Sequence, residues 1–227
     1  MDQSQVPKAA ILQRDKETYA IAPHTPGGLV TPEILRKVAD VAEKYNAAAL
    51  KMTSSQRIAI VGLKPDDVKK AWDDLGMDPG HAVGMCVRSV RFCPGTTFCK
   101  RGQQDAVSLG LELDKRYHGM DLPQKMKIAV AGCQNSCPEA AIRDIGVMGT
   151  PRGWTVIVGG NGAGYHPRIG DVIAENLETF QVLELVEKII AFFKERKTEN
   201  KRLGRLIDEM GIETFKEIVM GVPNVRS

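Results

Sequence analysis

The sequence predicts an α+β protein of two domains, one in residues 1–80 and one in residues 81–227 that ends in helices. Three observations carry that prediction. Short apolar runs broken by Pro and Gly recur at strand length. A Thr31-Pro32 helix start leads into apolar residues at helical spacing. The last third carries an apolar helical stripe. Gly76 to Gly80 (GMDPG) reads as the boundary.

Taken in order, KAAILQ and ETYAIA read as strands, and His24 to Gly28 (HTPGG) marks a turn. Thr31 is suited to cap a helix with Pro32 at its first position. Ile34, Leu35, Val38, Val41 and Ala42 extend that helix to about Tyr45. Ala47 to Met52 and Arg57 to Val61 read as two strands, and Pro65 to Leu75 as a helix. Strand, helix, strand, strand, helix is the ferredoxin-like half pattern, a topology that carries no iron–sulfur chemistry by itself.

In the second domain Lys100 to Tyr117 reads as a helix starting just after Cys99. Lys127 to Ala131 is a short strand that delivers Gly132-Cys133 at its carboxyl end, and Pro138 to Ile142 begins like a helix. Asp144 to Met148 and Trp154 to Val158 read as strands. Val182, Leu185, Val186, Ile189 and Phe193 form the apolar stripe, and Met210-Gly211 separates two short terminal helices.

Hydrophobic residues make up 43% and charged residues 26%, which excludes a disordered tail and a fibre. Charges interrupt every apolar run, so no membrane span is expected. The opening MDQSQVPKAA lacks the basic-then-apolar order of a secretory signal, which makes a cytoplasmic location the expectation. The net charge of +3 is too small to call for nucleic acid. Gly159 to Gly164 is glycine-rich but misses the dinucleotide register, because Tyr165 and Pro167 follow it; a close-approach loop is expected there.

The cysteines carry the most information. Cys86, Cys93, Cys99, Cys133 and Cys137 are an odd number, which argues against a disulfide framework. Four of them form two local pairs with five and three residues between, a poor match to zinc knuckles and to the single run of bacterial ferredoxins. Two short pairs on loops can present four sulfurs to one cubane. Gly95 and Gly132 permit close backbone approach, Pro94 and Pro138 stiffen the turns, and Asn135 offers an amide donor. Cys86, Trp72 and Trp154 read as core residues, and His81 and His118 as loop residues.

The pattern CPGTTFC followed by KRG, then AGCQNSC, then DIGVMG, resembles the siroheme-containing sulfite and nitrite reductases. LKMTSSQRIAIVGL is similar to that family's ferredoxin-like half domain, and LGRLIDEMGIETFKEIV to its terminal helices. The resemblance implies a 4Fe–4S cluster on Cys93, Cys99, Cys133 and Cys137, with Cys137 bridging to siroheme iron. It implies six-electron reduction of sulfite to sulfide, or of nitrite to ammonia. Siroheme is a polycarboxylate, so basic and amide residues are implied around it: Lys100, Arg101 and Asn135 here. Lys51, Arg57, Arg88 and Arg91 stand near the family's oxyanion-binding positions. Larger members place Arg before the Gln of a T-x-R-Q motif; Ser55 stands there in this chain, and Arg57 is the nearest base. No flavin or nicotinamide fingerprint is present, so electrons are expected from an external protein such as a ferredoxin. Larger members hold two related halves where this chain supplies about one, so a symmetric homo-oligomer is a further expectation. The cysteines alone fit equally a non-catalytic electron carrier, and the whole pocket fits a siroheme sensor.

Overall fold

The computed structural model describes residues 7, 9–196 and 200–221. The chain divides into two compact units, Met1–Gly84 and Met85–Ser227.

In the first unit β1 (Ala10–Leu12), β2 (Tyr19–Ile21), β3 (Ala49–Met52) and β4 (Ile58–Leu63) form an antiparallel sheet in the order β1-β2-β4-β3. Helices α1 (Pro32–Lys44) and α2 (Pro65–Leu75) pack on it. The Thr31 hydroxyl accepts from the Ile34 amide, so the cap expected from the sequence is made. Helix α2 stops at Gly76, whose left-handed backbone (φ +54°) suits glycine. Val38, Val41, Ile60, Leu63, Val68, Ala71 and Leu75 form the core between helices and sheet. All of β3 is exposed, and it is one of the sheet's two edge strands.

In the second unit β5 (Arg91–Phe92), β6 (Ile128–Ala131), β7 (Ile145–Thr150), β8 (Gly153–Val158) and β9 (Asp171–Leu177) form one sheet in sequence order. The first three strands run parallel, and the β7–β8 and β8–β9 pairs are antiparallel. Helices α3 (Gly95–Phe98), α4 (Ala106–Tyr117), α5 (Thr179–Glu195), α6 (Leu203–Met210) and α7 (Ile212–Met220) complete it. Helix α4 lies close on β5, where a β-carbon at Gly110 would stand 2.3 Å from the Phe92 ring. The expected stripe of α5 is buried, from Val182 to Phe193, and Phe192 meets Phe215 of α7 edge-to-face at 5.2 Å.

Asp144, fully buried ahead of β7, accepts two bonds from the Arg202 guanidinium (2.9 and 2.6 Å) and one from the Lys127 amide (2.7 Å). That pairing anchors the start of α6 on the amino ends of β6 and β7. The first part of the Gly159 to Gly164 loop makes the close approaches expected of it, while Gly164 is open. A β-carbon at Gly160 would lie 2.5 Å from the Ala141 carbonyl oxygen, and one at Gly162 would lie 2.3 Å from the Ile142 side chain. Among the described residues no helix is long and apolar enough to cross a membrane.

The structure corrects three expectations of secondary structure. Helix α4 begins at Ala106, not Lys100. Pro138 to Ile142 yields only a 3₁₀ turn at Ala140–Ile142, because Glu139 adopts a left-handed backbone (φ 62°). Strands β5 and β9 appear where none was expected.

Candidate metal and cofactor site

Both cysteine pairs leave the same end of the sheet. Cys93 directly follows β5, and its amide donates to the Val130 carbonyl (3.2 Å), carrying the parallel pairing one residue further. Cys133 follows β6 after a single glycine. Parallel neighbours point their carboxyl ends the same way, so these two sulfurs are delivered side by side. The single helical turn α3 separates Cys93 from Cys99 and closes through the Cys99 amide on the Gly95 carbonyl (3.0 Å).

The loop after Cys99 is stitched to the residue before Cys133. The Gln103 and Gln104 amides both donate to the Gly132 carbonyl (2.8 and 3.0 Å), and the Thr96 amide donates to the Gln104 carbonyl (3.2 Å). Those amides serve the loop and cannot serve a helix, which is why α4 starts later. Its cap is Asp105, whose carboxylate accepts from the Ser108 amide (3.0 Å) and hydroxyl (2.6 Å). The Gly132 amide donates to the Cys93 sulfur (3.1 Å), the kind of bond that orients a metal thiolate and tunes its potential.

Glycines make the closure possible. A β-carbon at Gly132 would lie 2.6 Å from the Gly95 Cα and 2.9 Å from the Gln104 carbonyl oxygen. One at Gly102 would lie 2.4 Å from the Gly95 carbonyl carbon, and one at Gly149 would lie 2.7 Å from the Gly132 carbonyl oxygen. The last pair of sulfurs is spaced by a turn in which the Ser136 amide donates to the Cys133 carbonyl (3.1 Å) and the Ser136 hydroxyl accepts from the Ala140 amide (3.0 Å). All five cysteines are free thiols. Cys93, Cys99 and Cys133 are partly buried, Cys137 is exposed, and Cys86 is buried, as the sequence led us to expect for a core thiol.

Two arginines meet on Glu139, two residues after Cys137. Arg91 on β5 reaches Glu139 (3.1 Å), and Arg143 bonds the same carboxylate oxygen. The Nε atoms of both guanidiniums are buried without a hydrogen-bond partner. Burial lowers the Arg91 pKa from the ordinary guanidinium value, and the Glu139 charge opposes that shift. Four free thiols with an amide on one sulfur fit an iron–sulfur cluster. Two cations sharing one carboxylate, each with an unused buried donor, fit a polycarboxylate beside it.

Of the residues singled out in the sequence, Arg91, Lys100, Arg101 and Asn135 share the cysteine end, the last three exposed. Arg88 does not. Its amide donates to the Met126 carbonyl ahead of β6 (2.9 Å), and Arg202 is among the charges acting on its guanidinium. Burial, the largest cause, lowers its pKa. Lys51 and Arg57 belong to the first unit. Lys51 is exposed on β3; Arg57 is buried, with its guanidinium donating to the Gly80 carbonyl. The sequence reading missed the Glu139–Arg143 pair, although its i,i+4 spacing was visible.

Asp105→Ala is expected to destabilise the protein by about 1 kcal/mol, the usual value of a side-chain cap, measured as a drop in melting temperature. Hydrogen bonds from Ser108 hold the Asp105 carboxyl below its ordinary pKa. Its stabilisation is therefore full above the unfolded pKa and is lost as pH falls through the lowered folded value, so variant and wild type converge in acid.

Comparison with known proteins agrees with this geometry. The family model for the nitrite and sulphite reductase 4Fe-4S domain matches residues 83–224, and that for the nitrite/sulfite reductase ferredoxin-like half domain matches residues 11–77. An assimilatory-type sulfite reductase of Nitratidesulfovibrio vulgaris is 45% identical over 96% of this chain and all of its own length. A nitrite reductase [NAD(P)H] of Bacillus subtilis is 37% identical over 92% of this chain, which spans only 26% of that relative. The solved structure of the NirA protein of Mycobacterium tuberculosis shares the fold, with a TM-score of 0.78 at 22% identity, covering 90% of this chain and 40% of that one.

Proposed function

The chain belongs to the nitrite and sulphite reductase family, and from that footing we propose that it reduces sulfite to sulfide with electrons from an external donor protein. The family's centre is a siroheme with a 4Fe–4S cluster. The observation that carries the proposal is the meeting of both cysteine pairs at one end of the β5–β6–β7 sheet, tied together through Gly132. The preference for sulfite rests on the assimilatory-type sulfite reductase that matches this chain over its whole length. Nitrite to ammonia is the second reading, favoured by the nitrite reductases that match most of this chain with a part of theirs.

In this proposal Cys93, Cys99, Cys133 and Cys137 would hold the cluster, and Cys137, the exposed sulfur, would be the one shared with siroheme. When bound, the cofactors would supply single electrons and a Lewis-acidic iron. Arg91 and Arg143, both bonded to Glu139, are the guanidiniums that would supply fixed positive charge there. A fixed cation next to an oxyanion stabilises charge on the departing oxygen without reorganising. Lys100 and Arg101 follow Cys99 directly, are exposed, and would meet cofactor carboxylates. Lys51, Arg57 and Arg88 remain in the proposal as oxyanion candidates. Arg91 alone of these four is at the cysteine end of the second unit.

The test is the visible spectrum of protein purified without oxygen, with iron and sulfide assays and turnover driven by dithionite-reduced viologen. The expected result is porphyrin-type bands, about five irons and about four sulfides per chain, and a higher kcat/KM for sulfite than for nitrite. A cluster spectrum without macrocycle bands or turnover would reduce the protein to an electron carrier.

A further inference from the structure

We propose that the cavity between the loop of residues 159–168 and the start of α6 is a binding site for a small phosphate-bearing ligand. It lies away from the cysteines and does not depend on the reductase reading above. Strand β8 runs antiparallel to β7, so Val158 pairs with Ile145 at the beginning of β7, whereas Cys133 leaves the far end of parallel β6. The cavity holds about 300 Å³, at the small end of the range of about 300–1,000 Å³ typical of ligand sites. Asn161, Tyr165, His166, Arg202, Arg205 and Asp208 are in its wall. The loop is the glycine-rich run of the sequence, which the cysteine centre leaves without a role. Its close approaches at Gly160 and Gly162 fix the backbone on that side of the cavity.

The two segments beside the cavity, residues 159–170 and 201–205, carry four cations and no carboxylate. Two of these cations are committed. Lys201 bonds Glu209 (2.7 Å). Arg168 is a strut: its Nε bonds Asp208 (2.9 Å), its Nη2 bonds Asp171 (2.6 Å), and its Nη1 donates to the Gly159 and Ile169 carbonyls (3.3 and 3.2 Å). Asp208, the carboxylate in the wall, is thereby neutralised. Arg202 gives Nε and Nη2 to Asp144, which leaves Nη1 with only a long 3.4 Å contact to Asn161. Arg205 is exposed and forms no ion pair among the described residues. Three residues apart at the start of α6, Arg202 and Arg205 share one face of the helix. Arg88 and Lys127 both feel the Arg202 charge, so three cations surround the single Asp144 carboxylate behind the wall. One spare Nη and one unpaired guanidinium on one face suit the oxygens of a phosphate. Tyr165, 98% exposed, meets His166 edge-to-face at 5.9 Å in the same wall. That pair offers a flat ring a surface to lie on, which favours a phosphate carried on a nucleoside over the free ion.

The probes are AMP, inorganic phosphate and adenosine, titrated calorimetrically into holo-protein at constant ionic strength while the visible bands are followed. AMP is expected to bind most tightly and adenosine most weakly, with the bands unshifted by AMP. Arg205→Glu is expected to weaken AMP and phosphate by about tenfold or more, because a charge-assisted bond is replaced by repulsion. Arg205→Gln, which removes the charge and keeps a good helix former, should weaken them by about threefold. Lys188→Glu makes the same change of charge on exposed α5 and should leave both affinities as they are. Tyr165→Ala should weaken AMP by about fivefold or more and leave phosphate unchanged, because only the nucleoside stacks. Equal affinity for AMP and phosphate, indifferent to Tyr165→Ala but lost in Arg205→Glu, would support the site and assign it to the free ion. Wild-type protein that bound neither anion would overturn the proposal. So would equal losses in Arg205→Glu and Lys188→Glu, which would reduce the effect to bulk charge. AMP affinity untouched by Arg205→Glu, with macrocycle bands that shift on titration, would place the anion at the cofactor and overturn it as well.

Discussion

Cys137→Ser is expected to strip the protein of its cluster and reduce sulfite turnover by about a hundredfold or more. A serine hydroxyl is a hard, protonated donor where a soft thiolate is needed. In the proposed centre Cys137 also joins the two cofactors, so its loss removes a cluster ligand and the electronic path together. Its exposure beside partly buried Cys93, Cys99 and Cys133 makes it the sulfur open to a second group. Cys86→Ser provides the contrast. Cys86 is 4% exposed in the core of the second unit, so a hydroxyl there is expected to lower stability by about 1–3 kcal/mol while leaving iron, sulfide and visible bands intact. Iron and sulfide counts with anaerobic spectra separate the two. Wild-type spectra and turnover in Cys137→Ser would refute the ligand assignment.

The first unit was legible because its punctuation is local. Thr31-Pro32 and Pro65 start the helices and Gly76 stops one, and each acts through its own residue's geometry. The start of α4 was not legible, because the amides of Gln103 and Gln104 are claimed by the carbonyl of Gly132, remote in sequence. Strand β9 was hidden for another reason. At the sheet edge it buries only Ile173, so its sequence shows no alternation for a pattern to reveal. The four sulfurs could be paired from spacing alone, since each pair sits on one tight loop. The basic residues could not be sorted in this way. Arg88 and Arg91 are three apart in the chain, yet Arg91 reaches the Cys137 turn through Glu139 while Arg88 stays by Met126. Which end of a sheet a side chain serves depends on strand order, and strand order is a tertiary fact.

Gly132→Ala is expected to empty the cluster site while leaving the protein folded. The added β-carbon would stand 2.6 Å from the Gly95 Cα and 2.9 Å from the Gln104 carbonyl oxygen, both backbone atoms with no rotamer to yield. Carbon–carbon contacts settle at about 3.5–4.0 Å, so the loops must part by about 1 Å. Overpacking of that size destabilises by about 1–3 kcal/mol, which a domain of this size registers as a few degrees of melting temperature. The metal site is far less tolerant, since ligand distances must hold within about 0.2 Å. A displacement of the Cys93–Cys99 loop from Cys133 should therefore cost most of the iron and sulfide before it costs the fold. The Gly132 amide would also lose its alignment with the Cys93 sulfur, shifting the potential of whatever cluster remained. Gly164→Ala is the control with the opposite balance. Its backbone is left-handed (φ +90°) but a β-carbon there meets nothing within 4 Å, so strain of about 1–2 kcal/mol is expected with full cofactor content. Equal iron in both variants would mean that the glycine contacts do not hold the two cysteine loops in register; loss confined to Gly132→Ala would place the closure of the cluster site on that single missing side chain.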